Sequence, residues 1–259
     1  MTRSFRPPIP MAIVLAIILT ASGRLWAFGT AGSVPVAGSN SDDRDARSPM
    51  LIATADFNRD GIADVAKIVW SPGQRNGPCF IQILFGLKDG GYKSAVRLTL
   101  LKGDPRSMIA GDFNGDRNPD LLVGDGDGSV TELLGDGKGN LRSAGEIAHV
   151  GSVVSIAVGD FNRDGIPDIA VSDFRANKVT ILLGSGSGSF TIGWSFSLPM
   201  RGTTYYLAAA DFNGDGVPDL AITSDEEGTF VVMLGNGNGT FTYAPALSHI
   251  RDPYSYCPT

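Results

Sequence analysis

Aspartates recur in this chain at a spacing that few chemistries need. DFNRDGIAD from Asp56, DFNGDRNPD from Asp112, DFNRDGIPD from Asp160 and DFNGDGVPD from Asp211 are copies of one nine-residue segment. Each copy puts oxygen-bearing side chains at positions 1, 3, 5 and 9. Three carboxylates in so short a loop repel one another unless a cation lies between them. An all-oxygen donor set suits a hard divalent ion, calcium above all. The first loop then offers Asp56, Asn58, Asp60, the carbonyl of Ile62 and Asp64. The second offers Asp112, Asn114, Asp116, the carbonyl of Asn118 and Asp120. The third offers Asp160, Asn162, Asp164, the carbonyl of Ile166 and Asp168, and the fourth Asp211, Asn213, Asp215, the carbonyl of Val217 and Asp219. A water would complete each shell, and up to four Ca²⁺ ions are expected.

Details of the loops refine this expectation. Glycine at position 6 (Gly61, Gly165, Gly216) permits a sharp bend, whereas Arg117 takes that place in the second loop. Backbone strain and an added positive charge should make the second site the weakest. The first half of the pattern is that of an EF-hand, but position 12 is Lys67, Val123, Val171 or Ile222, never the bidentate glutamate. Position 2 is phenylalanine throughout (Phe57, Phe113, Phe161, Phe212) and is expected to pack between neighbouring units.

The elements that position these loops follow from the text between them. Loop starts are 56, 48 and 51 residues apart, a period that fits propeller blades rather than shorter helical repeats. In the third unit SVVSIAVGD (152–160) enters the loop and DIAVSDF (168–174) leaves it. KVTILLG (178–184) and SFTIGWSFSL (189–198) follow, each after a turn rich in Gly, Ser or Asn. Such β-branched and aromatic runs, broken by turn residues, predict antiparallel strands joined by hairpins. The third strand recurs as IQILFG, SVTELLG, KVTILLG and TFVVMLG, each before a glycine-studded turn. The fold class predicted is all-β, a propeller of four-stranded antiparallel blades. Four units make either a closed four-blade ring or a partial arc, and an open arc leaves an apolar face for self-association.

The loop, the fifty-residue period and the following Leu-Gly-Asn-Gly-x-Gly-x-Phe resemble the FG-GAP/VCBS-type repeat, a family similar to the calcium-bearing blades of the integrin α-chain propeller. The resemblance covers about residues 49–249, with units near 49–101, 102–149, 150–199 and 200–249 and an incomplete tail at 250–259. The Phe-Gly of the family name survives only as Phe85-Gly86. The resemblance implies a calcium-bound propeller and leaves activity open, because the family includes adhesins, receptors and appendages on enzymes.

Ahead of the repeats, Arg3 and Arg6 precede an apolar run from Ile9 to Ala21 and then small residues, the pattern of a secretory signal over 1–27. Residues 28–48 read as a flexible linker, and the repeats as a secreted, cell-surface or periplasmic domain. Four bound Ca²⁺ would bring the formal charge of −6 to +2, so the acidic balance belongs to the metal-free chain. No basic patch with interleaved aromatics is present, which argues against nucleic acid. The two cysteines, Cys79 and Cys257, could join as a disulfide that clasps the tail to the first unit.

The function these features point to is a non-catalytic binding or adhesion module for a protein or glycan partner. Trp70, Trp194, Tyr205 and Tyr206 are candidate contact aromatics. The alternatives are a polysaccharide lyase or hydrolase on the same blades, or a structural repeat domain of a larger assembly. Against an enzyme, His149 and His249 fall at equivalent repeat positions and no nucleophile motif accompanies them. The free carboxylates at Asp125, Asp127 and 225–227 sit in turns after the second strand.

Overall fold

The computed structural model describes residues 17–19, 25–27, 51–70, 79–99, 103–198, 205–224 and 230–244. Two short strands, β1 (Ile17–Leu19) and β2 (Leu25–Ala27), pair as a hairpin within the expected signal segment. The repeats form four four-stranded antiparallel sheets. The first contains β3 (Ile52–Ala55), β4 (Asp64–Trp70), β5 (Cys79–Gly86) and β6 (Tyr92–Thr99). The second contains β7 (Pro105–Gly111), β8 (Asp120–Asp125), β9 (Ser129–Gly135) and β10 (Leu141–His149). The third contains β11 (Val153–Gly159), β12 (Asp168–Asp173), β13 (Lys178–Gly184) and β14 (Phe190–Ser197). The fourth contains β15 (Tyr205–Ala210), β16 (Asp219–Ser224), β17 (Phe230–Gly235) and β18 (Phe241–Tyr243). Strands follow one another in chain order across every sheet, as hairpin connections require. Among the described residues no helix is long and apolar enough to cross a membrane.

The sheets stack face to face through three apolar cores. Phe57, Ala66 and Ile83 of the first sheet meet Met108, Leu121 and Leu133 of the second. Phe113, Ile109 and Leu122 meet Val158, Ile169 and Leu182 of the third. Phe161, Ala170 and Ile181 meet Ala209, Leu220 and Met233 of the fourth. A middle sheet is therefore covered on both faces, and every residue of β8 and β12 is buried. That is why these strands read as near-continuous apolar runs, whereas β5, at the end of the row, alternates between buried and half-buried.

First strands lie side by side along the row: β3 beside β7, β7 beside β11, β11 beside β15. Serine hydroxyls bridge two of these steps. Ser107 Oγ accepts the Ile156 N–H at 3.0 Å, and Ser155 Oγ accepts the Leu207 N–H at 3.1 Å. Among the described residues β15 does not return to β3, so the four blades make an open row rather than a closed ring. The architecture is all-β and propeller-like, as the repeat period predicts.

Cys79 bears on the pairing that the sequence leaves open. It is a free thiol, 1% exposed, facing the core between the first two sheets. Burial, and then the charge of Asp125, push its pKa up to about 11, so it is an inert packing residue rather than half of a clasp. Cys257 lies outside the described residues.

Candidate metal centres

Every aspartate loop joins the first strand of a sheet to the second, so all four occupy the same corner of their blades. The chain is held there by one hydrogen-bond network repeated four times. In the third loop Asp160 takes the N–H of Asp164 on Oδ1 (2.9 Å) and that of Gly165 on Oδ2 (2.9 Å). Asn162 Oδ1 accepts the Asp164 N–H at 3.0 Å, and its amide donates to Asp164 Oδ2 at 2.8 Å. Asp164 Oδ1 in turn accepts the Ile166 N–H at 2.8 Å. Asp112, Asn114 and Asp116 hold the second loop by the same logic, with contacts to Gly115, Asp116, Arg117 and Asn118 between 2.7 and 3.1 Å. Asp56, Asn58 and Asp60 do so in the first loop, and Asp211, Asn213 and Asp215 in the fourth.

The aspartate at position 9 plays a different part. Asp64, Asp120, Asp168 and Asp219 are all 0% exposed. Asp168 Oδ2 accepts the Phe161 N–H at 3.0 Å, and Oδ1 accepts the N–H of Gly184, the last residue of the third strand, at 2.9 Å. Gly86, Gly135 and Gly235 make the same bond to Asp64, Asp120 and Asp219, each at 2.8 Å. This carboxylate therefore ties its loop to the middle of its own sheet. Burial pushes the pKa of Asp120 and Asp168 up to about 6, opposed by the glycine N–H bonds. Burial also raises Asp64 and Asp219, whose sheets lie at the open ends of the row.

Two backbone requirements escape a reading of the motif alone. The glycine closing the third strand is needed for close approach: a Cβ on Gly135 would lie 2.0 Å from the Pro119 carbonyl oxygen. Position 4 is left-handed as well as position 6. Arg59 has φ 58° and Arg163 φ 62°, beside Arg117 at φ 69° in position 6. A left-handed non-glycine residue costs about 1–2 kcal/mol. Loops one and three carry that cost at position 4 and the second carries it at position 6, so strain does not single out the second loop.

The loops are also tied to the next sheet. The N–H of Gly139 donates to the Phe57 carbonyl (2.9 Å), Gly188 to Phe113 (3.1 Å) and Gly239 to Phe161 (2.9 Å). Arg59 Nη1 reaches Asn118 Oδ1 of the following loop at 3.4 Å. Phe57, Phe113 and Phe161 are 2%, 2% and 1% exposed, packed between sheets as their position predicts. Phe212 departs from this and is 46% exposed, because no following sheet covers it among the described residues.

The donor set fits a hard cation in kind, since only oxygen is offered. As the loops stand, the position-3 amide and the backbone N–H groups engage those oxygens. No three His, Cys, Asp or Glu side chains among the described residues converge as a metal-holding group. The donor at position 3 is asparagine, and the carboxylate at position 9 is turned toward its own sheet.

Other candidates fall elsewhere. Trp194 stacks on Phe196 at 4.8 Å and lies 6.3 Å from Phe241, so it packs against the core between the third and fourth sheets rather than standing free. Tyr206 is 55% exposed. The side chains of Trp70 and Tyr205, and all of 225–227 and His249, lie outside the described residues. Asp125 is buried, with its pKa pushed up to about 6 by burial and then by Asp127. Asp127 instead caps Ser129. His149 contacts Glu146 at 3.1 Å on the surface.

No curated protein matches the chain. Among solved structures, the crystals of BBS1N in complex with ARL6DN, soaked with lead and with mercury, each match at 14% identity and a TM-score of 0.46. Both matches cover 94% of this chain and 72% of that one. The FG-GAP-like repeat model matches residues 112–171, 160–222 and 211–256. With these overlapping matches running over more than half of its length, the chain belongs to the FG-GAP-like repeat family.

Proposed function

We propose that this chain is an exported, calcium-binding, non-catalytic module that presents a rigid row of blades to a protein or glycan partner. One observation carries the reading: the same oxygen-rich loop occupies the same corner of every sheet and is bonded forward to the next sheet in three cases. Calcium would be held by the aspartates at positions 1, 5 and 9, the asparagine at position 3 and the carbonyl at position 7. A bound ion supplies positive charge where the carboxylates crowd. The chain does the rest: Asp168 and its counterparts fix the loop to the sheet, and the Phe161-type carbonyl passes that rigidity to the next blade. The basic, apolar and small-residue order of the first 27 residues supports export, into a medium where calcium is abundant.

The test is thermal melting of the purified chain across a calcium titration, with chelator and magnesium as controls. A site filled at a hundredfold excess over Kd adds about 2.7 kcal/mol. A rise in Tm of roughly 5–10 °C, reversed by chelator, is expected for even one such site. Identical melting in calcium and chelator, with no heat of binding by calorimetry, overturns the metal reading. Calcium-dependent retention on a glycan or protein array supports the binding role, and turnover of a polysaccharide overturns the non-catalytic assignment.

A further inference from the structure

The two ends of the row are built differently. On the outward side of the first sheet, Thr54, Lys67 and Gln82 stand where the second sheet has Ala110, Val123 and Thr131. All three are half-buried, and the charged and amide groups finish that end against water. The far side of the fourth sheet keeps the residue types that are buried in its sisters. Ala208 is exposed where Ala53, Ile109 and Ala157 are 1%, 3% and 4% exposed. Phe212 is 46% exposed where its three counterparts are at most 2% exposed. Val232, further out on the same side, is only 4% exposed. The uncovered part is therefore a strip along β15 and its loop, about as wide as one strand.

We propose that residues 251–257 of this chain occupy that strip as the first strand of a fifth unit. Three observations select this segment. The chain leaves the described region at Ala244, just past the outer strand of the fourth sheet. From the equivalent place each earlier unit crosses to a first strand on the phenylalanine side of its own sheet. The family match over the last repeat runs to residue 256, beyond the fourth sheet. RDPYSYC (251–257) also lines up with RGTTYYL (201–207), the approach to β15, with Arg first and Tyr sixth in both.

The serine bridges fix the register. Ser107 sits five residues before its loop and takes the N–H of Ile156, four residues before the next loop; Ser155 and Leu207 repeat the step. Advancing once more sets Tyr206 beside Cys257.

The test uses the full chain carrying Tyr206→Cys, with the native Cys257 as partner and the buried Cys79 left in place. Disulfide formation needs Cα atoms within about 7 Å. Mild oxidation is expected to give an intramolecular bond between positions 206 and 257, seen as a faster-running monomer and a linked peptide by mass spectrometry. A covalent dimer through the same pair would place the strand on a second copy and overturn the proposal. So would a bond from Cys257 to an Ile52→Cys variant, which reports ring closure on the first sheet, or no bond at all. Deleting 245–259 is expected to lower Tm by roughly 5 °C and to speed amide exchange in β15 while leaving β7 unchanged. Unaltered β15 exchange after deletion overturns the proposal independently of any crosslink.

Discussion

Within one loop, aspartates that look alike in the sequence do separate work. Asp164 bonds exposed groups, whereas Asp168 satisfies the N–H groups of Phe161 and Gly184 from a fully buried position. In chelator, Asp164→Ala should cost about 1 kcal/mol or less and Asp168→Ala about 2–4 kcal/mol, because the latter strands buried donors. Urea denaturation of the two variants checks the difference, and in calcium both should lose one binding site. Glu132 is the other residue of consequence. It is 2% exposed, its Oε1 has no partner, and its counterparts in the other sheets are Ile83, Ile181 and Val232. Burial, and then the charge of Asp120, raise its pKa from 4.5 to about 7. A folded pKa above the unfolded one means that the native state holds the extra proton. The carboxyl therefore loses stability as pH climbs from the unfolded value through about 7. The loss approaches about 3 kcal/mol above that window. Glu132→Ile should remove this component, so chemical denaturation at pH 5 and pH 8 should differ less in the variant than in the parent.

Among elements, the seams between sheets carry the energy. Phe113 is sealed between the second and third sheets, whereas Phe212 faces outward. Phe113→Ala should cost about 3–5 kcal/mol. With residues 245–259 deleted, Phe212→Ala should cost about 1 kcal/mol or less, as an exposed position does. Equal losses in equilibrium unfolding would show that Phe212 is sealed without that segment. The strands, their order and the packing role of position 2 were legible in the sequence, since period, β-branched runs and turn glycines all speak locally. The exposure of Phe212 was not, because DFNGDG reads the same with or without a following sheet. The glycine ending each third strand was likewise visible, but its reason was not. It comes from a carbonyl that arrives from sixteen residues earlier in the second sheet, at Pro119.

For the molecule as a whole, stability should be graded along the row. Units that touch only their neighbours share energy at each seam, so the middle sheets hold two seams and the end sheets one. Amide exchange should therefore be slowest in β8 and β12, where every residue is buried, and fastest in β3 and β18. Exchange measured by mass spectrometry on peptides from the four sheets checks this, and uniform protection would mean one cooperative block. Neither the open row nor the free Cys79 could be read from repeat spacing. Both depend on which sheets end up adjacent, and spacing does not encode that. The aspartate loops stand out in the sequence because four copies share one composition, whereas their hydrogen-bond roles depend on the sheets around them.

The bonds from Gly139, Gly188 and Gly239 back to the phenylalanine carbonyls all run the same way. The blades thus overlap like roof tiles, each hairpin tip lapping the corner laid before it. A row lapped in this manner has a grain: loosening the corner at 160–168 unseats the tip at 236–240 and leaves the one at 136–140 in place. Damage should spread toward the carboxyl end and stall in the opposite sense.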